Sequence, residues 1–248
     1  RDADWARLGA VLDPAELDGC DLIIGTGTAA LPPARRGRPV LVAAKGEPPE
    51  GTMRLVLAGR VAEIGVPGTS PGPVVLTAWA ALRRMGLTVV VTGLQAPTGI
   101  AGRLAAAGGA AVRSLVELGV APEAITAALV GFGLPPPPVP GAPAGSSREM
   151  AVDEIRDRWL GAMANEAARL LQAGVTRSAL DIDLVAVAGL GFPRSKGGPL
   201  HQADQRGLMI LRRDLTRWAA DGPLWAPVPA LDALVSLGRG FAGAVRTG

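Results

Sequence analysis

The 248-residue chain carries 25 Lys and Arg against 22 Asp and Glu. The two signs balance in both 1–150 and 151–248, so no basic stripe marks a nucleic-acid surface. A single cysteine, Cys20, excludes an intrachain disulfide and a thiolate-rich metal site, and reads as a small buried hydrophobe. No apolar span of about eighteen residues and no signal-peptide pattern is visible, which points to a soluble chain in a reducing compartment, the cytoplasm.

Residues 1–95 read as a small α/β region. Short apolar runs at Cys20–Gly27, Pro39–Ala44, Met53–Gly59 and Leu87–Gly93 predict buried parallel strands. Between the last two, Ser70 to Pro73 reads as a helix start and Val74 to Met85 as a helix closed by Gly86. The result is a strand, helix, strand unit. The "GTGTAALPP" stretch has Gly25 and Gly27 in the manner of a phosphate-binding turn, but Pro32 and Pro33 follow where a long helix would be needed.

The pattern turns helical over 96–134, with Ala121, Pro122 and Glu123 predicting a second helix start. Residues 135–147 form a Pro/Gly-rich linker, its four prolines favouring extended structure and the remainder a flexible connector. Over 148–248 the spacing predicts helices at Glu149–Ala173, Ser178–Ala188, Ala203–Ala220 and near Leu231. The stretches before and after the linker repeat one pattern. In each, an amphipathic helix ends in Gly-Val (Gly119-Val120 and Gly174-Val175), a shorter helix follows, and a Gly-rich turn leads to Pro. Two related helical units that bury each other's faces are expected. The predicted fold is thus an α/β remnant of a Rossmann-like domain followed by a mainly α-helical domain of two related units.

Asn165-Glu166-Ala167-Ala168-Arg169, followed by Gly191-Phe192-Pro193, Gly197-Gly198-Pro199-Leu200 and Ala203-Asp204, resembles the C-terminal domain of the 3-hydroxyacyl-CoA dehydrogenase family. The likeness is to the form found in multifunctional fatty-acid β-oxidation proteins, where that domain is duplicated and joined to an enoyl-CoA hydratase domain. It extends more weakly to 70–104 and to the "VGFGLP" turn. It implies an oxidoreductase that takes hydride from 3-hydroxyacyl-CoA to NAD, and a chain that lacks the first half of the dinucleotide domain. NAD is therefore an implied cofactor without its binding motif.

That chemistry requires a base, a group to orient it, and donors for the developing carbonyl. The resemblance places the family's catalytic serine on Thr26, its neighbouring asparagine on Gly27 and its base-orienting glutamate on Glu63. The second asparagine falls on Gly102, with Arg103 retained beside it. The family's histidine has no counterpart in "EGTMRLVLAGRVAE". His201 reads as a surface or helix-start residue, and one imidazole alone does not make a zinc site.

Two functions are therefore expected as alternatives. One is NAD-dependent oxidation of 3-hydroxyacyl-CoA to 3-oxoacyl-CoA, if missing parts complete the chain. The other is a pseudoenzyme whose helical units serve as a docking or dimerisation module. Expected partners are an acyl-CoA substrate and a hydratase-like domain or subunit, or a second copy in a homodimer, with no nucleic acid and no membrane span. A third reading is acyl-CoA binding without oxidation, with Arg103, Arg194 and Lys196 as cations for phosphates.

Overall fold

The computed structural model describes residues 10–11, 13–26, 37–43, 47–141 and 148–243. Five strands form one sheet in the order β1 (Ile23–Gly25), β2 (Val40–Val42), β3 (Met53–Ala58), β4 (Val61–Gly65) and β5 (Thr88–Thr92). The first three run parallel, β3 and β4 pair antiparallel with Val56 opposite Glu63, and β4 and β5 pair parallel. Helix α1 (Gly72–Arg84) connects β4 to β5.

Alternation along β4 sends its side chains to two different cores. Ala62 and Ile64 join Leu41, Met53 and Leu55 beneath Ala78 and Leu82 of α1. Val61 belongs instead to the larger core, with Val90 of β5 and the helices that follow. Glu63 shares the Val61 side by the same alternation, so its carboxylate faces the helical part of the molecule.

That part contains α2 (Gly99–Glu117), α3 (Pro122–Phe132), α4 (Val152–Gln172), α5 (Ala179–Gly189), α6 (Pro199–Arg206), α7 (Leu208–Trp218) and α8 (Pro229–Ser236). Helix α2 packs along α4. A Cβ on Gly108 would lie 3.3 Å from both the Met163 sulfur and the Trp159 ring, so the missing side chain sets how closely the two helices approach.

The predicted duplication is present in the hydrogen bonding. Val120 N–H donates to Leu115 and Val175 N–H to Leu170, each at 3.0 Å, after a glycine of positive φ, Gly119 in one unit and Gly174 in the other. The turns after the shorter helices also reciprocate. A Cβ on Gly133 would lie 3.1 Å from Pro193, and one on Gly191 would lie 3.5 Å from Pro135. Each unit thus sets its turn glycine against the proline of the other.

Three expectations need correction. The sheet is mixed, because the two-residue turn Gly59-Arg60 folds β4 back on β3. The strand, helix, strand unit therefore starts from β4, and Met53–Gly59 is not its first strand. The helix expected over Ala203–Ala220 is two helices, because Gly207 adopts φ 89° and turns the chain between α6 and α7. Cys20 is exposed, since it follows a short 3-10 turn beside strand β1 and no element among the described residues covers it. The prolines Pro135–Pro138 lie against α2 and α4, lining a cavity with them. Residues 142–147 of the expected connector lie outside the described residues, as do Gly27, Pro32 and Pro33.

Candidate active site around Glu63

Glu63 is 1% exposed. Its two oxygens accept the N–H groups of Ile100 at 2.5 Å and Ala101 at 2.8 Å, both in the first turn of α2. A helix N-terminus offers unpaired donors and a partial positive charge, so a carboxylate there satisfies both. Gly99, with φ +68°, makes the approach sterically feasible, because a Cβ at that position would lie 2.7 Å from the Glu63 carboxylate. Burial pushes the Glu63 carboxyl above its ordinary value, and the two backbone hydrogen bonds offset only part of that rise.

Arg54, on β3 and 3% exposed, holds the other end of the same connection. Its guanidinium donates to the carbonyls of Leu94 and Ala96. One strand therefore grips the carbonyls of the β5–α2 segment and its neighbour grips the N–H groups. Arg54 does not stand out in the sequence, where one arginine inside an apolar run carries no signal of what it meets 40 residues later.

The sequence-derived residues are dispersed. Thr26 is exposed at the exit of β1, with β2 and β3 between its strand and that of Glu63. Gly102 and Arg103 lie in α2, and Arg103 forms an ion pair with Glu166 of α4. Arg194 and Lys196 are exposed, the Lys196 ammonium sitting 5.7 Å from the Phe132 ring. His201 is exposed in the first turn of α6. Its N–H and that of Leu200 donate to Asp183 of α5, each at 2.9 Å. Among the described residues, no hydrogen bond joins His201 to Glu63, and no group of three His, Cys, Asp or Glu is placed to hold a metal.

The described residues do not fit a dinucleotide. A pyrophosphate is held by a Gly-rich turn leading from a strand into a free helix N-terminus. Here the N-terminus of α2 is taken by Glu63 and that of α6 by Asp183, while α1 follows β4 through a Pro-rich loop. The Rossmann-like sheet speaks for dinucleotide-binding ancestry, with no NAD-binding motif evident.

The mixed sheet followed by two related helical units defines the class: a Rossmann-like domain joined to a helical bundle of two related units. Comparison with known proteins refines it to distant, partial homology with the 3-hydroxyacyl-CoA dehydrogenases and the multifunctional β-oxidation proteins. Over 92 residues the chain is 39% identical to the fatty acid oxidation complex subunit alpha of Idiomarina loihiensis, covering 37% of this chain and 13% of that one. Over 76 residues it is 38% identical to the human peroxisomal bifunctional enzyme, covering 31% and 10%. The matches thus span a small part of the curated relatives. No family model matches.

Two solved structures share the fold. The crystal structure of 3-hydroxybutyryl-CoA dehydrogenase from Escherichia coli K12 superimposes with a TM-score of 0.72 at 16% identity, over 95% of this chain and 85% of that one. The dehydrogenase part of multifunctional enzyme 1 from C. elegans gives 0.57 at 13% identity, over 88% and 72%. Among the described residues, no helix is long and apolar enough to cross a membrane.

Proposed function

We propose that this chain is a divergent, partial member of the 3-hydroxyacyl-CoA dehydrogenase family in which the helical units act as a docking or dimerisation module. On this reading it does not catalyse oxidation of 3-hydroxyacyl-CoA unaided. The observation that carries its non-catalytic part is the setting of Glu63: its oxygens accept the N–H groups at the N-terminus of α2, and among the described residues no hydrogen bond joins it to His201. A base-orienting carboxylate needs an oxygen directed at an imidazole, and the turn between β3 and β4 supplies only Gly59 and Arg60. The alternative, in which Glu63 and Thr26 act as catalytic residues, requires a base and an NAD-binding half from another segment or subunit. Thr26 is solvent-accessible at a strand end, as such a completed site would need.

The names of the relatives, a subunit of a fatty acid oxidation complex and a bifunctional enzyme, support a further domain or subunit as the partner, which on this reading is hydratase-like or a second copy, with an acyl-CoA as the ligand of the assembly. The lone, exposed Cys20 thiol suits a reducing cytoplasm. Mixing the purified chain with NAD and 3-hydroxybutyryl-CoA is expected to give no NADH absorbance. Native mass measurement, alone and with a hydratase-like subunit, is expected to show a dimer or a complex. NADH formation in proportion to the amount of chain would overturn the non-catalytic reading, and a monomer in both mass measurements would overturn the docking role.

A further inference from the structure

Between the two helical units lies an apolar cavity of about 330 Å³, which begins about one turn along α2 from the N–H groups that Glu63 holds. Leu104 and Val112 of α2, Trp159 and Met163 of α4, and the run Pro135–Pro138 enclose it, and no charged side chain lines it. The volume is about twice the ~150 Å³ that admits benzene.

The internal repeat explains why the space exists. With Gly119 matched to Gly174, Ala105 and Gly109 of α2 correspond to Leu160 and Ala164 of α4. In the second unit α6 packs on α4, with Pro199 and Ala203 beside Leu160 and Ala164. In the first unit the chain continues into prolines instead of a helix, so among the described residues no helix covers the matching face of α2, and Ala105 is exposed. The wall that replaces the helix is stiff, because each proline fixes its own φ. A cavity with such a wall binds without having to order it first.

One cation stands at the rim. Arg113, one turn beyond Gly109, folds back so that its Nη1 lies 3.4 Å from where a Cβ on Gly109 would be. Arg113 is exposed and makes no ion pair among the described residues. Its counterpart in the second unit is Ala168, which is buried.

We propose that this cavity binds an anionic amphiphile with an unbranched alkyl chain of about ten carbons. The chain fills the space between α2, α4 and the prolines, and the head group meets Arg113. The site lies within the helical bundle and does not depend on how Glu63 is read.

The test is calorimetric titration with decanoate, decyl phosphate and decanol, the two anions distinguishing a carboxylate from a phosphate head group. Wild-type protein is expected to bind one equivalent of an anionic probe, about tenfold more tightly than decanol. Gly109→Leu and Ala105→Phe both fill the cavity from the exposed side of α2. Each is expected to weaken binding by at least about tenfold while the melting temperature stays within about 2 °C of wild type. Arg113→Gln is expected to remove the preference for the anions over decanol. Absence of saturable binding below the micelle concentration, or binding unaltered in Ala105→Phe, overturns the site. An anion preference retained by Arg113→Gln overturns the assignment of the head group.

Discussion

Glu63 and Gly99 are paired by necessity: the carboxylate occupies the space a side chain at position 99 would fill, and from there it accepts the N–H groups of Ile100 and Ala101. The molecule uses this arrangement twice more. Asp183 lies against Gly198 and accepts Leu200 and His201, Pro199 between them having no N–H to offer. Asp204 lies against Gly240 and accepts Phe241 and Ala242 at 2.8 and 3.0 Å. Each clamp fixes where a segment starts relative to an element distant in sequence.

Glu63→Ala leaves two buried N–H groups without acceptors, and each such hydrogen bond to a charged group contributes about 1.5–3 kcal/mol. The variant is expected to lose about 3 kcal/mol of unfolding free energy by urea titration. Glu63→Gln keeps one carbonyl acceptor and is expected to lose about half as much. A loss below about 0.5 kcal/mol for Glu63→Ala would show that the clamp does not hold α2 in place.

The same carboxylate makes stability depend on pH. Because burial raises the folded-state pKa of Glu63 above 4.5, the folded protein binds the proton more tightly than the unfolded chain. Its contribution is therefore complete below about pH 4.5 and declines as pH rises through the raised folded value. Asp183, pushed up by burial against the pull of the Leu200 and His201 hydrogen bonds, acts in the same direction from 3.8 upward. Melting temperatures across pH 4–8 are expected to show Glu63→Gln gaining on wild type as pH rises. A constant difference across that range would refute the assignment.

Gly99→Ala and Gly174→Ala separate the two demands made on a glycine. Both positions have φ near +70°, but a Cβ at 174 meets nothing within 4 Å, whereas at 99 it meets Glu63 at 2.7 Å. Gly174→Ala is expected to cost about 1 kcal/mol, from the backbone alone. Gly99→Ala is expected to cost about 3 kcal/mol or more, because the clamp must also open. Similar values in chemical denaturation would mean that Glu63 shifts aside freely.

Asn165, 1% exposed on α4, ties down the segment before α8. Its amide nitrogen donates to the carbonyls of Leu224 and Ala226, and its oxygen accepts Val228 N–H. Asn165→Asp sets a carboxylate against two carbonyl oxygens and is expected to cost about 3 kcal/mol at pH 7. Proteolysis is expected to cut the variant first near 222–228. A variant as resistant as wild type would show that other contacts hold the segment.

Amphipathic spacing makes the helices legible in the sequence, and the twice-occurring Gly-Val and Gly-rich turns make their duplication legible, since helix period and left-handed glycines are local properties. The β3–β4 hairpin is less so. Met53–Gly59 and Val61–Ile64 are separated by a single residue and read as easily as one broken strand or two. The break at Gly207 is hidden for a related reason: the helical spacing continues across it, and only the glycine's φ of 89° ends α6.

By itself the sequence determined the α/β-then-helical order and the repeat, because propensity and periodicity are written residue by residue, whereas Glu63 was singled out only by the family resemblance. The tertiary structure alone decided what Glu63 touches, that Thr26 stands three strands away, and that the missing α6 counterpart leaves a hydrocarbon-lined cavity. Those outcomes depend on which segments meet after the chain has folded, and the N–H groups that occupy Glu63 come from residues 37 and 38 positions further on, beyond the reach of any local pattern.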